Sequence, residues 1–327
     1  MTIEYRSKPG PIANFINRHS IRFVGWDLDG TIANTERLHR AICRSVLQEL
    51  SNTIISDREF RSPGYRAAFG LPGAETSRHL AKILRETNPE GFQSALKSAL
   101  AKGLVGDSLD TVGAAITQLR QETFAFYLQM SSLKSSGCSS DVRTLVVNSP
   151  SQTQAVQTAR RLDVLKDVKV PTYPHVVPLL KMFSEHNIRQ GIATSSGAFF
   201  AQGLLKALQL DNYFNAIVSA DCVPQGHHKP EARPWQLLHE RLTGSTITTA
   251  KGTPLSDMLF IENSAGGGLS SLRAGYGPVF IVADNIPATV GKLQAKIQAY
   301  QGDSERRIHG QAIFIDHLGS LLCPKTV

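Results

Sequence analysis

Apolar residues along the chain fall into two rhythms. The first is a short apolar run closed by polar residues. Ile21, Phe23 and Val24 lead into Trp26-Asp27-Leu28-Asp29-Gly30-Thr31, and a run of this kind predicts a buried strand. The rhythm returns after Pro171. Residues 191–193, 216–220, 258–261, 278–282 and 312–315 are the further predicted strands. Helices are predicted between them at 176–185, at 198–208 and from Pro234, where a proline suits the first turn. Gly266-Gly267-Gly268 opens another helix.

The second rhythm has helical period. Leu38, Ile42, Val46 and Leu50 recur every four residues, and Thr35 can cap the helix they define. Residues 75–86, 91–101 and 110–130 also read as helices, and 144–147 is a strand candidate. Gly64, Gly70, Pro72 and Gly73 interrupt this region. The Ser-rich residues 131–140 read as a soft connection. Residues 1–20 read as a polar lead-in.

Strands alternating with helices imply a parallel sheet covered on both faces. The expected fold is therefore α/β, a doubly wound, Rossmann-like core of residues 1–35 and 171–327. A mainly helical domain, residues 36–170, is inserted after the first of the strands.

A length of 327 residues suits two domains, and 41% hydrophobic with 19% charged residues suits a globular core. No stretch is apolar enough to span a membrane, and residues 1–14 lack the apolar core of a signal peptide. The expected location is the cytoplasm, with an organellar leader left open and no membrane partner. Cys43, Cys138, Cys222 and Cys323 are scattered, which favours reduced thiols over a zinc cluster. The net charge of +8 suits an anionic partner, a nucleic acid or a phosphorylated small molecule. No basic run is interleaved with aromatics, so nucleic acid is disfavoured. Oligomeric state leaves no mark in the pattern.

Four polar clusters fall at predicted strand ends or adjoining loops. Asp27 and Asp29 can reach one crevice if Leu28 turns inward, and a buried acid pair calls for a cation or a proton. Thr194-Ser195-Ser196 offers hydroxyls and backbone N–H groups at a helix start, a ready anion site or simply a cap. Lys229, held by Pro230, can bring a point charge to a phosphate. Glu262 and Asn263 offer oxygen ligands for a hard cation such as magnesium, Glu262 as the principal acid; alternatively Asn263 only caps the next helix.

Acid, hydroxyl, lysine and acid in this order resemble the haloacid dehalogenase superfamily. Asp27, Asp29, Gly30 and Thr31 look like its D-x-D-G-T signature, and Thr194, Lys229 and Glu262-Asn263 are similar to its three later motifs. Thr35 to His39 resembles the β-phosphoglucomutase-like and sugar-phosphatase branch, and the insertion resembles a helical cap. The cap is longer than that branch shows, and Asn263 replaces a common aspartate.

The resemblance implies Asp27 as nucleophile and Asp29 as general acid and base. It implies Thr194, the Ser195 N–H and Lys229 as phosphate ligands, and a substrate-side place for His39. Mg2+ would be held by Asp27, the Asp29 carbonyl, Glu262 and Asn263. The implied function is a Mg-dependent phosphomonoesterase acting on a small phosphorylated metabolite such as a sugar phosphate. A phosphosugar mutase and a non-catalytic phosphate-binding relative are the alternatives. A dehalogenase has no use for Asp29. In the cap, Phe69, Arg78 and Arg120 are substrate candidates that packing or solvation explains equally well.

Overall fold

The protein is described here by a computed structural model covering residues 2–5, 12–51, 55–60, 62–66, 73–135, 152–244, 257–275, 278–282, 286–301, 308 and 311–322. The chain divides into two compact units. The first comprises residues 1–34, 171–201 and 208–327, the second 35–170 and 202–207.

Among the described residues, the first unit is built on a seven-stranded sheet. Its strands are β1 (Thr2–Tyr5), β2 (Phe23–Trp26), β3 (Arg189–Ala193), β4 (Ala216–Val218), β5 (Met258–Glu262), β6 (Val279–Val282) and β7 (Gln311–Ile315). All pairings are parallel, in the order β1-β7-β6-β5-β2-β3-β4. Every residue of β2 and β5 is buried. That is why these strands read as continuous apolar runs and not as alternation: helices cover both sheet faces.

On one face Phe23, Met258 and Phe260 pack with Trp235, Leu238 and Leu242 of the Arg233–Thr243 helix. On the other, Trp26 meets Phe183 edge-on at 5.9 Å, and its Nε1 donates to Gln190 Oε1 at 3.1 Å. Full burial of side chains this large stabilises the unit by roughly 1.5–3 kcal/mol each.

The order of strands has a consequence for function. From β2 the chain goes to β3 and β4 on one side, then crosses back to β5, β6 and β7 on the other. The carboxyl end of β2 is therefore a topological switch point, where parallel sheets leave a crevice for ligands.

The first twenty residues are more than a lead-in. β1 extends the sheet beside β7, and Ile12–His19 is helical. Ile12 and Ile16, one turn apart, are both buried, an amphipathic signal too short to stand out from its polar neighbours.

The second unit packs helices Glu36–Ser51, Gly73–Thr87, Pro89–Ala101, Ser108–Ser135 and Gln152–Leu165 against one another. Leu38, Ile42, Val46 and Leu50 are all buried, as their four-residue spacing predicts. Asn88 caps its helix, with Oδ1 accepting from Gly91 N at 2.8 Å. Arg161 ties the Gln152–Leu165 helix to Glu49 at 3.0 Å. Of the Ser-rich residues expected as a soft connection, Ser131 to Ser135 complete the Ser108–Ser135 helix, and 136–140 lie outside the described residues. The strand candidate at 144–147 lies outside the described residues, as does Phe69. Among the described residues, no helix is long and apolar enough to cross a membrane.

Candidate active site

Asp27 follows β2 directly, its N–H donating to Ile261 O at 3.0 Å as if the strand continued. The chain then folds back: Ile32 N and Ala33 N both donate to Leu28 O, and Gly30 N donates to Ala33 O. Leu28 is fully buried, as the two flanking acids require. Gly30 has φ +86°, and a Cβ there would lie 2.0 Å from Asn263 Nδ2. Only glycine meets both demands.

Lys229 is the hub. Its Nζ donates to Asp27 Oδ1 at 2.7 Å and to Glu262 Oε1 at 2.5 Å, and it sits 4.4 Å from the centre of the Trp235 ring. The other Asp27 oxygen, Oδ2, accepts from Thr31 Oγ1 at 3.2 Å. Asp27 is 7% exposed and Glu262 is 0% exposed. Burial pushes the Asp27 carboxyl up to about 7; Lys229 pulls it down, and Glu262 and Asp29 push it up. Burial alone would lower the Lys229 ammonium, but Asp27 and Glu262 outweigh it and raise its pKa.

Glu262 lies in a space that Gly267 leaves open. A Cβ at Gly267 would stand 1.9 Å from Glu262 Oε1. Glu262 Oε2 accepts from Asn263 N at 3.2 Å and Ser264 Oγ at 3.4 Å. Gly267→Ala is therefore expected to cost about 1–3 kcal/mol of stability, as overpacking does. Gly266→Ala is the control, because a Cβ there meets open space. Urea melts of the two variants check this; equal midpoints would show that the Glu262 pocket has slack.

The helix cap falls on Ser264, not on Asn263. Ser264 Oγ accepts from Gly267 N at 3.0 Å at the start of the Ala265–Arg273 helix. The alternative reading of Asn263 as the cap is thus corrected. Its side chain lies against Gly30, one residue later in the loop than Asp29.

The third cluster meets the second acid. Thr194 Oγ1 donates to Asp29 Oδ2 at 3.1 Å, and Ser196 Oγ donates to the same oxygen at 2.7 Å. Ser195 lies half-buried between them, ahead of the Ala198–Ala207 helix. The carboxyl ends of β2, β3 and β5 and the Lys229 loop thus gather Asp27, Asp29, Thr194, Lys229, Glu262 and Asn263.

His39 belongs to the second unit, half-buried in the first turn of Glu36–Ser51. Among the cap candidates, Arg78 pairs at the surface with Asp110 at 2.5 Å, and Arg120 donates to Ser77 Oγ at 3.1 Å. Sequence reasoning passed over Ser196, Trp235 and Gly267. Ser196 stood within the quoted hydroxyl triplet, but Trp235 and Gly267 matter through contacts that no local pattern encodes.

Residues 21–275 match the model of the haloacid dehalogenase-like hydrolases, and the chain belongs to that family. Among solved structures, it is similar to CbbY from Rhodobacter sphaeroides in complex with phosphate. The TM-score is 0.53 and the identity 17%, over 92% of this chain and 99% of that one. A mutant of CbbY in complex with xylulose-(1,5)bisphosphate matches with TM-score 0.50 and 18% identity, over 80% of this chain and 86% of that one. These likenesses show the fold. A search of the curated proteins found no match.

Proposed function

We propose that the protein is a magnesium-dependent phosphomonoesterase of small phosphorylated metabolites, sugar phosphates among them, working through an aspartyl-phosphate on Asp27. The observation that carries the reading is the buried Asp27 at the switch point, gripped by Lys229 on one oxygen and Thr31 on the other. The two CbbY structures hold phosphate and a sugar bisphosphate, and the same ligand class is proposed here.

The donor set fits a hard divalent cation. Asp27 and Glu262 share a single lysine, Asp29 adds its charge beside Asp27, and burial pushes the Asp27 pKa up to about 7. Asp27, the Asp29 carbonyl, Asn263 and Glu262 would hold the ion, all of them oxygen donors. Bound there, it would supply positive charge against the carboxylates and the phosphoryl group.

In this mechanism an Asp27 oxygen attacks phosphorus and the bond to the leaving oxygen breaks. Asp29 gives that oxygen a proton, then takes one from the water that cleaves the aspartyl-phosphate. An ammonium has three N–H donors. Asp27 and Glu262 use two of those on Lys229, which leaves the third for a phosphoryl oxygen. Thr194 and the Ser195 N–H complete the cradle. The helical unit is proposed as the cap, with His39 on its substrate side.

A screen of phosphorylated metabolites for phosphate release tests the proposal. Release is expected with Mg2+, to be lost on EDTA treatment and restored by added Mg2+. No release from any member, or release indifferent to EDTA, would overturn it. β-Glucose 1-phosphate with a bisphosphate primer belongs in the same screen; glucose 6-phosphate formed faster than phosphate would favour the mutase.

A further inference from the structure

We propose that Ser196 is the positioning residue of Asp29: its hydroxyl keeps the carboxyl group in place while Thr194 turns its proton to the phosphoryl group. The proposal rests on the phosphomonoesterase reading above. Asp29 Oδ2 accepts two hydroxyls, from Thr194 at 3.1 Å and from Ser196 at 2.7 Å. The two are not equivalent. A hydroxyl has one proton to donate, and Thr194 is assigned to a phosphoryl oxygen when substrate binds. Its proton then leaves Asp29, and the shorter bond from Ser196 remains.

The local backbone is built for this exchange. Ser196 N donates to Thr194 Oγ1 at 3.0 Å, so the Thr194 oxygen stays where it is and only its proton swings. Ser196 O accepts from Ala220 N at 2.9 Å. Two residues on, Ala198 N donates to the Asp221 carboxylate. Ser196 is thereby held at its carbonyl by the loop that follows β4 and at its N–H by Thr194, and the same loop holds Ala198 two residues on, which makes Ser196 a rigid post for Asp29.

The consequence is specific to proton delivery. As the Asp27 oxygen bonds to phosphorus, the electron pair of the breaking bond goes to the leaving oxygen, and the Asp29 proton follows it. An alkoxide leaving group needs that proton in the transition state, whereas p-nitrophenolate leaves without it. A misaligned Asp29 therefore penalises the alkyl ester far more than the aryl ester. A role in binding the phosphoryl group penalises both alike.

The test compares kcat/KM for glycerol 1-phosphate and p-nitrophenyl phosphate, which reports the steps up to formation of the aspartyl-phosphate. Ser196→Ala is expected to lower the alkyl value by about 10- to 100-fold, a part of the roughly 10²–10⁴-fold that general acid catalysis supplies. The aryl value should fall by less than about threefold on the same argument. Ser196→Thr keeps the hydroxyl and should recover most of the alkyl activity. Equal losses on both esters, or no loss on either, would overturn the proposal. Asp29→Asn separates the two levels of the argument. A leaving-group contrast in Asp29→Asn but not in Ser196→Ala removes the role of Ser196 alone. No contrast in Asp29→Asn removes the acid role of Asp29, and the proposed mechanism with it.

Discussion

Asp27→Asn is expected to abolish phosphate release while leaving the protein folded. The amide has the size of the carboxylate but no lone pair able to attack phosphorus as an oxyanion. Loss of at least about 10⁴-fold in kcat is the scale for removing the nucleophile of a catalytic unit. Stability should change little or rise. Asp27 is a carboxyl whose ionisation burial opposes, and the amide removes that penalty. Lys229 still keeps Glu262 as a partner at 2.5 Å. Acid quenching during turnover of a labelled phosphoester gives a second readout: the wild type should carry protein-bound phosphate that hydroxylamine releases, and the variant none. Phosphate release by Asp27→Asn above about 1% of the wild-type rate, far over the loss expected for a missing nucleophile, would sink the assignment.

Lys229→Met is expected to damage stability and activity together. Lys229, Asp27 and Glu262 are all nearly excluded from water. Removing one member of a buried charge cluster leaves the others uncompensated, which costs about 3–5 kcal/mol. Loss of a donor to the transferring group should cut kcat/KM by roughly 10²-fold or more. The two effects can be separated. In Lys229→Met/Glu262→Gln one of the stranded charges is gone, so chemical denaturation should show part of the stability regained. Activity should stay lost, because no donor has returned. If Lys229→Met melts like the wild type, the cluster does not carry the buried charge balance described here. If the double variant regains activity, Lys229 does not touch the phosphoryl group.

Much of the core was legible along the chain because its signals are local. β2 and β5 are buried on both faces, so each stands as an apolar run closed by its acid. The D-x-D-G-T spacing sets Gly30 at the one backbone conformation its turn needs. The edges were less legible. β1 reads Thr2-Ile3-Glu4-Tyr5, with no apolar run of the kind that marks β2, and it is defined by β7 beside it and not by its own pattern. The Ser108–Ser135 helix ran past its predicted end because serine is a poor helix former only on average. At Asn263, helix-capping propensity pointed one residue too early: the hydroxyl of Ser264 was the group in reach of Gly267 N.

What the sequence by itself determined is the order of the parts: a parallel α/β core, a helical insertion after β2, and four polar clusters. These depend on period, spacing and residue type, all of which act between near neighbours. Only the tertiary structure decided how the clusters meet. Lys229 and Asp27 are 202 positions apart in the chain, and Ser196 and Asp29 are 167 apart; Ser196 reaches Asp29 because β3 flanks β2 in register, and Lys229 reaches Asp27 from the loop after β4, which lies beside β3. The space for Glu262 under Gly267 and the seat of Lys229 on Trp235 were likewise settled by packing. Side-chain chemistry is written residue by residue, but the charge balance of a buried site is a sum over groups that only the folded chain brings together.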